Sequence, residues 1–190
     1  MSINTGQYKR KNRPNMSDKA KYHQGYYYPM NPDKWVTKEI IYRSSWELGF
    51  CQWADRNPNV IRVASEPCAV KYLNPVSNIA YCKTNNLDPK NPHNWKMANY
   101  YTDFWMEVRS KDGSIKKIFI EIKPYEQTQK PDPIFEGAKL KEMKAYNRKA
   151  ETYLVNMAKW DAAKKYFNAR GCDFAVFTER TLAKLGILID

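Results

Sequence analysis

Three side chains able to hold a metal ion or move a proton fall on one short hairpin. The run Ile118-Phe119-Ile120-Glu121-Ile122-Lys123 alternates isoleucine with Phe119, Glu121 and Lys123, and a period of two separates the faces of a strand. The isoleucines are expected to face a core and Glu121 and Lys123 the other side, their Cα atoms roughly 6 to 7 Å apart. Upstream, Tyr101–Val108 reads as the partner strand and Ile115–Lys123 as the returning one. Between them, Lys111-Asp112-Gly113 forms a three-residue loop whose glycine suits the left-handed position. That loop pairs Ser110 with Ser114, and counting outward puts Asp103 across from Glu121 on the same face.

Two carboxylates that close repel each other unless a cation lies between them. Their oxygens suit a hard divalent ion such as Mg²⁺, which can generate hydroxide from a bound water and stabilise an in-line displacement at phosphate. Lys123 would then position or deprotonate the attacking water, or neutralise charge in the transition state. The same residues also read as a cross-strand salt-bridge ladder on a solvated face.

Glu47, at the end of Arg43-Ser44-Ser45-Trp46-Glu47, is a further carboxylate. Ser44-x-x-Glu47 is equally a capping box that would employ the glutamate at its own helix start. Arg43, one helical turn before Glu47, is placed to meet a phosphate near a metal or to pair with Glu47. Glu66 reads as a support of the fold.

The elements that must carry these residues are partly legible. Lys38–Asp55 has Trp46, Phe50 and Trp53 at helical spacing and stops before Asn57-Pro58, which predicts one amphipathic helix with Trp53 in the core. Val60–Ser65 and Ala69–Leu73 read as strands separated by Glu66-Pro67. Asn74–Asn99 lacks either period and is expected to be mostly loop, with one possible strand around Ile79–Cys82. From Gly137 to Ala169 a helical period returns, as one long helix or two shorter ones ended by Gly171. Asp173–Thr178 then reads as a buried strand and Thr181–Leu185 as a last helical turn. The order predicts a mixed α+β (α/β) fold, a mixed sheet with helices on its faces.

The 190 residues carry 32 Lys and Arg against 20 Asp and Glu, a net charge of +12, and such a chain attracts polyanions. Length allows one domain with appendages. The division expected is a basic, Tyr-rich N-terminal arm over residues 1–36, followed by one folded domain over residues 37–190. In the arm, Lys9, Arg10, Lys11 and Arg13 are candidate phosphate contacts, and the tyrosines candidate stacking surfaces. With 43% hydrophobic and 14% aromatic residues the composition is globular. No apolar run approaches the roughly 18 to 20 residues of a membrane span, so no membrane partner is expected. Cys51, Cys68, Cys82 and Cys172 show no paired zinc-ligand spacing and read as reduced core thiols.

In order and spacing, YRSSWE, a Glu-Pro after a strand, YYTDFW, FIEIKP and KWDAAKKYFNARGCDFAVFTE resemble the head completion nucleases of T-even-type phages. They are similar, more distantly, to the TnsA endonuclease subunit of Tn7-like transposition. Both belong to the PD-(D/E)xK nuclease superfamily, and the resemblance spans Ile40 to Leu182. It implies a restriction-endonuclease-like core with a helix-borne acid at Glu47, metal-binding acids at Asp103 and Glu121, and a catalytic lysine at Lys123. It further implies that the backbone carbonyl of Ile122 helps hold the ion, with Glu47 a possible additional ligand, and that Gln127 orders substrate or supports the ligands from behind. The cofactor implied is Mg²⁺, for which Mn²⁺ can substitute. The first acid follows Thr102 where the motif's name leads one to expect proline.

The function expected is a metal-dependent DNA endonuclease or end-trimming nuclease acting in phage head completion, during or after genome packaging. Its partners would be double-stranded DNA and phage head or neck proteins, in the host cytoplasm during assembly or in the virion. A structural head or neck protein that binds DNA or the portal with little cleavage is the alternative. A TnsA-like transposase cleaving subunit is the third.

Overall fold

The computed structural model describes residues 14, 16–17, 23–134 and 137–187. The proposed DNA contacts Lys9, Arg10, Lys11 and Arg13 lie outside the described residues. In chain order the elements are β1 (Gly25–Tyr27), β2 (Ile40–Tyr42), α1 (Ser45–Arg56), β3 (Val60–Ser65), β4 (Ala69–Leu73) and α2 (Pro75–Thr84). They continue with β5 (Met97–Tyr101), β6 (Phe104–Arg109), β7 (Ile115–Ile122), α3 (Leu140–Asn168), β8 (Asp173–Phe177) and α4 (Glu179–Lys184).

A four-stranded sheet in the order β3-β6-β7-β8 forms the centre. Its first three strands are antiparallel and β8 joins β7 in parallel. A parallel neighbour requires a long crossover, and the 29-residue α3 is that crossover. On one face Phe50, Cys51 and Ala54 of α1 and Leu182 of α4 pack on Val63, Phe104, Ile120 and Ile122. On the other, Trp160, Ala163 and Phe167 of α3 cover Ala64, Trp105 and Phe119. The rings of Phe119 and Phe167 stack with centroids 3.6 Å apart. The result is a mixed α+β fold, a central mixed sheet flanked by helices, as a restriction-endonuclease-like core requires.

Strands β3 and β4 have the expected bounds, and other expectations need correction. The helix predicted over Lys38–Asp55 begins only at Ser45, because β-branched Ile40 and Ile41 pair with Tyr26 and Tyr27 as a strand and Ser44 caps the helix by accepting the Glu47 N–H. Trp53 is half-buried at the core's edge. The loop predicted at the start of Asn74–Asn99 is α2, with no strand at Ile79–Cys82. Asn74 accepts the Ser77 N–H and Pro75 occupies the first turn, a helix-start pair that outweighs the short apolar run.

The strand predicted over Tyr101–Val108 is broken. Tyr101 pairs with Ala69 in a separate two-stranded sheet, and the chain crosses to the central sheet through Thr102 and Asp103. Residues 25–35, counted with the arm from the sequence, belong to the fold. Strand β1 is paired, Trp35 is buried in the core, and buried Asp55 accepts hydrogen bonds from Tyr27, Met30, Asn31 and Trp35. Among the described residues all four cysteines are free thiols.

Candidate active site

Strands β6 and β7 meet in the register that the loop length demands. Phe104 opposes Ile120 and Trp105 opposes Phe119, the Ser110 N–H donates to the Ser114 carbonyl at 2.8 Å, and Gly113 has φ 85°. Continuing that register sets Asp103 across from Glu121. Asp103 Oδ2 accepts the Ile122 N–H at 2.8 Å, which fixes the carboxylate against β7.

Glu121 shares its face with Phe119, under α3, and is 3% exposed; Asp103 is 7% exposed. A solvated ladder is therefore not what the hairpin presents. Lys123 Nζ lies 3.0 Å from Glu121 Oε1, and the Tyr100 hydroxyl donates to Glu121 Oε2 at 2.7 Å. Burial and then the Asp103 charge push Glu121 up to about 7, against the opposing pull of Lys123 and of the Tyr100 and Lys123 hydrogen bonds. Burial works against charge on Lys123 too, but Asp103, Glu121 and Glu47 together overcome it and hold the amine above its ordinary range.

Glu47 closes its own helix start, with its N–H donating to Ser44 Oγ at 3.2 Å but its carboxylate reaching the residue before the cap. Its Oε2 accepts the Arg43 N–H at 2.7 Å and its Oε1 lies 3.3 Å from Ser44 Oγ. It meets the other site residues through its charge on Lys123. Arg43 precedes the helix, so the helical-turn relation expected between it and Glu47 does not arise. Its guanidinium donates to Glu66 Oε1 at 2.8 Å. Glu66 holds a left-handed backbone, φ 45°, unusual for a side chain of this size, and its N–H donates to the Asp103 carbonyl at 2.8 Å. Thus Glu66 ties Arg43 to the strand entrance that carries Asp103. Gln127 stands in the short turn Tyr125–Thr128 and lines a cleft of about 580 Å³ between residues 126–134 and α3, which Asp103, Glu121 and Lys123 do not line.

Among the described residues no group of three or more His, Cys, Asp or Glu side chains is gathered to hold a metal ion. The oxygen donors brought together at the centre are the two carboxylates of Asp103 and Glu121, and Ile122 is held there through the N–H that Asp103 accepts. Few, hard, partly charged donors fit an ion that retains most of its waters, as Mg²⁺ does. They do not fit a four-ligand zinc site.

Residues 57–179 match a family model described as "TnsA-like endonuclease N terminal", a segment that contains Asp103, Glu121 and Lys123. The chain belongs to the TnsA-like endonuclease family. It is also 34% identical over 169 residues to the head completion nuclease of Enterobacteria phage T4, covering 86% of this chain and 96% of that protein. The TnsA-like match begins at Asn57, after α1, so Arg43 and Glu47 lie before it.

Two side chains at this candidate site carry no signal in the sequence. Tyr100 arrives on β5 from the neighbouring sheet. Lys159 arrives on α3, its Nζ 5.6 Å from the Tyr100 ring centroid. Neither has a local spacing signal; Tyr100 is one of 14 tyrosines and Lys159 one of 32 cations.

Proposed function

We propose that this chain is a metal-dependent deoxyribonuclease of phage head completion that cuts or trims double-stranded DNA during or after packaging. It would work beside head or neck proteins in the host cytoplasm, with Mg²⁺ as its ion and Mn²⁺ able to replace it. The observation that carries the reading is a pair of buried, adjacent carboxylates that cannot both ionise without a further cation. Asp103 and Glu121 stand side by side out of solvent with Lys123 bonded to one of them, a condition that a divalent cation relieves.

Asp103, Glu121 and the Ile122 carbonyl would hold the ion, which supplies a more acidic water and a counter-charge for phosphodiester displacement. The chain's own groups supply orientation. The Ile122 N–H fixes Asp103, and Tyr100 with Lys123 holds both oxygens of Glu121. Held as an ammonium, Lys123 is a donor: it orients water or a phosphate oxygen and offsets developing charge, and in that state it has no lone pair with which to act as base.

The test is incubation of the purified protein with supercoiled and linear DNA in Mg²⁺, Mn²⁺ or EDTA, beside Glu121→Ala. Metal-dependent nicking that the variant lacks is expected. Retention of DNA without cutting by either protein would favour a structural head protein instead.

A further inference from the structure

We infer that a basic stripe on α3, Lys141, Lys144, Arg148 and Lys159, grips the backbone phosphates of a DNA duplex and leads it to the carboxylates. The inference rests on the DNA-nuclease reading above and adds the surface that delivers the substrate. At 3.6 residues per turn the four side chains fall within a sector of about 60°. That sector flanks the side on which α3 buries Asn156, Trp160, Ala163 and Phe167; it is open along the first turns and closes from Val155 onward, where Val155, Ala162 and Tyr166 pack on the core beside Lys159. Lys141, Lys144 and Arg148 are exposed and Lys159 is half-buried.

Three observations distinguish the stripe from an ordinary solvated face. Among the described residues Lys141, Lys144 and Arg148, like Lys164, form no ion pair, whereas Lys149 pairs with Glu126 and Lys165 with Asp161 at 3.2 Å. Glu142 is turned to the helix start, where it accepts the Lys139 N–H; Glu151 borders the stripe. The stripe also has a destination. Its last member, Lys159, sits 5.6 Å from the ring centroid of Tyr100, whose hydroxyl is bonded to Glu121.

Length agrees as well. From Lys141 to Lys159 is about 27 Å along the axis at 1.5 Å per residue, and at about 3.4 Å per phosphate on each strand this spans about eight base pairs. Flexible cations on a smooth helix face contact phosphates and read no bases, so the grip would tolerate any sequence.

The experiment measures binding of a duplex of about 20 base pairs in EDTA over a salt series. It compares the wild type, the triple variant Lys141→Gln/Lys144→Gln/Arg148→Gln, and a charge-matched control, Arg109→Gln/Lys111→Gln/Lys116→Gln, at the far tip of the β6–β7 hairpin. All six side chains are exposed, and circular dichroism checks that each variant is folded. The stripe variant should lose about 2.7 from the slope of log K against log salt, about 0.9 for each neutralised phosphate, while the control keeps the wild-type slope. An unchanged slope in the stripe variant, or equal losses in both, overturns the inference while wild-type binding and cutting leave the nuclease reading standing. A wild type that neither binds nor cuts DNA in Mg²⁺ overturns both.

Discussion

The Tyr100 hydroxyl donates to Glu121 Oε2 at 2.7 Å, so a residue of one sheet sets the orientation of a carboxylate in another. A hydrogen bond to a charged group contributes about 1.5 to 3 kcal/mol, and this one favours the ionised carboxylate that a cation needs. Tyr100→Phe is expected to raise the Mg²⁺ concentration needed for half-maximal cutting by about tenfold or more and to move the pH profile upward. Cutting measured against Mg²⁺ at several pH values tests this; an unchanged Mg²⁺ midpoint would make Tyr100 a packing residue only.

Burial and the Asp103 charge keep a proton on Glu121 up to about pH 7, against an ordinary value of 4.5. Between those values the folded chain binds more protons than the unfolded one, so this group's contribution to stability is full below about pH 4.5 and falls as pH rises toward 7. Glu121→Gln does not titrate. In EDTA its melting temperature should gain on the wild type as pH rises through this window and hold that gain above it. A difference that shrinks with rising pH would show that Glu121 is ionised in the metal-free fold.

Asp55 is fully buried and accepts from the Met30 N–H at 2.7 Å, the Tyr27 hydroxyl at 3.0 Å, the Asn31 N–H at 3.1 Å and Trp35 Nε1 at 3.3 Å. Burial alone would raise its pKa, but these donors prevail and hold it below 3.8. Its stabilisation is therefore present above that ordinary value and is lost as pH falls through the lower folded one. Asp55→Ala should cost on the order of 3 to 5 kcal/mol by stranding these donors, read as a lower urea midpoint. A loss under about 1 kcal/mol would mean that water replaces the carboxylate without penalty.

Removal of residues 1–20, which carry Lys9, Arg10, Lys11 and Arg13, should flatten the salt dependence of DNA binding by about 0.9 for each phosphate that this segment neutralises. Titrating labelled duplex with the truncated and full chains gives both slopes. Identical slopes would confine DNA binding to the rest of the chain.

The hairpin that carries the candidate site was legible because its determinants are local. A three-residue loop closed by Gly113 sets the register, and a period of two sets the faces. Strands β3 and β4 were legible for a similar reason, each bounded by proline or asparagine. Helix α2 carried its own start signal in Asn74-Pro75, but a short apolar run competed with it. The break at Thr102–Asp103 left no mark, since both halves of Tyr101–Val108 are strand and only their partners differ.

The amino-acid order by itself determined that Asp103, Glu121 and Lys123 share a neighbourhood, because a hairpin's pairing follows from its turn and a few adjacent residues. Tertiary structure alone decided that the neighbourhood is buried, that Tyr100 and Lys159 border it, and that Arg43 answers to Glu66. These depend on how α3 crosses the sheet and how the β4–β5 pair docks beside it. Such contacts join residues tens of positions apart, where no periodicity along the chain constrains one by the other.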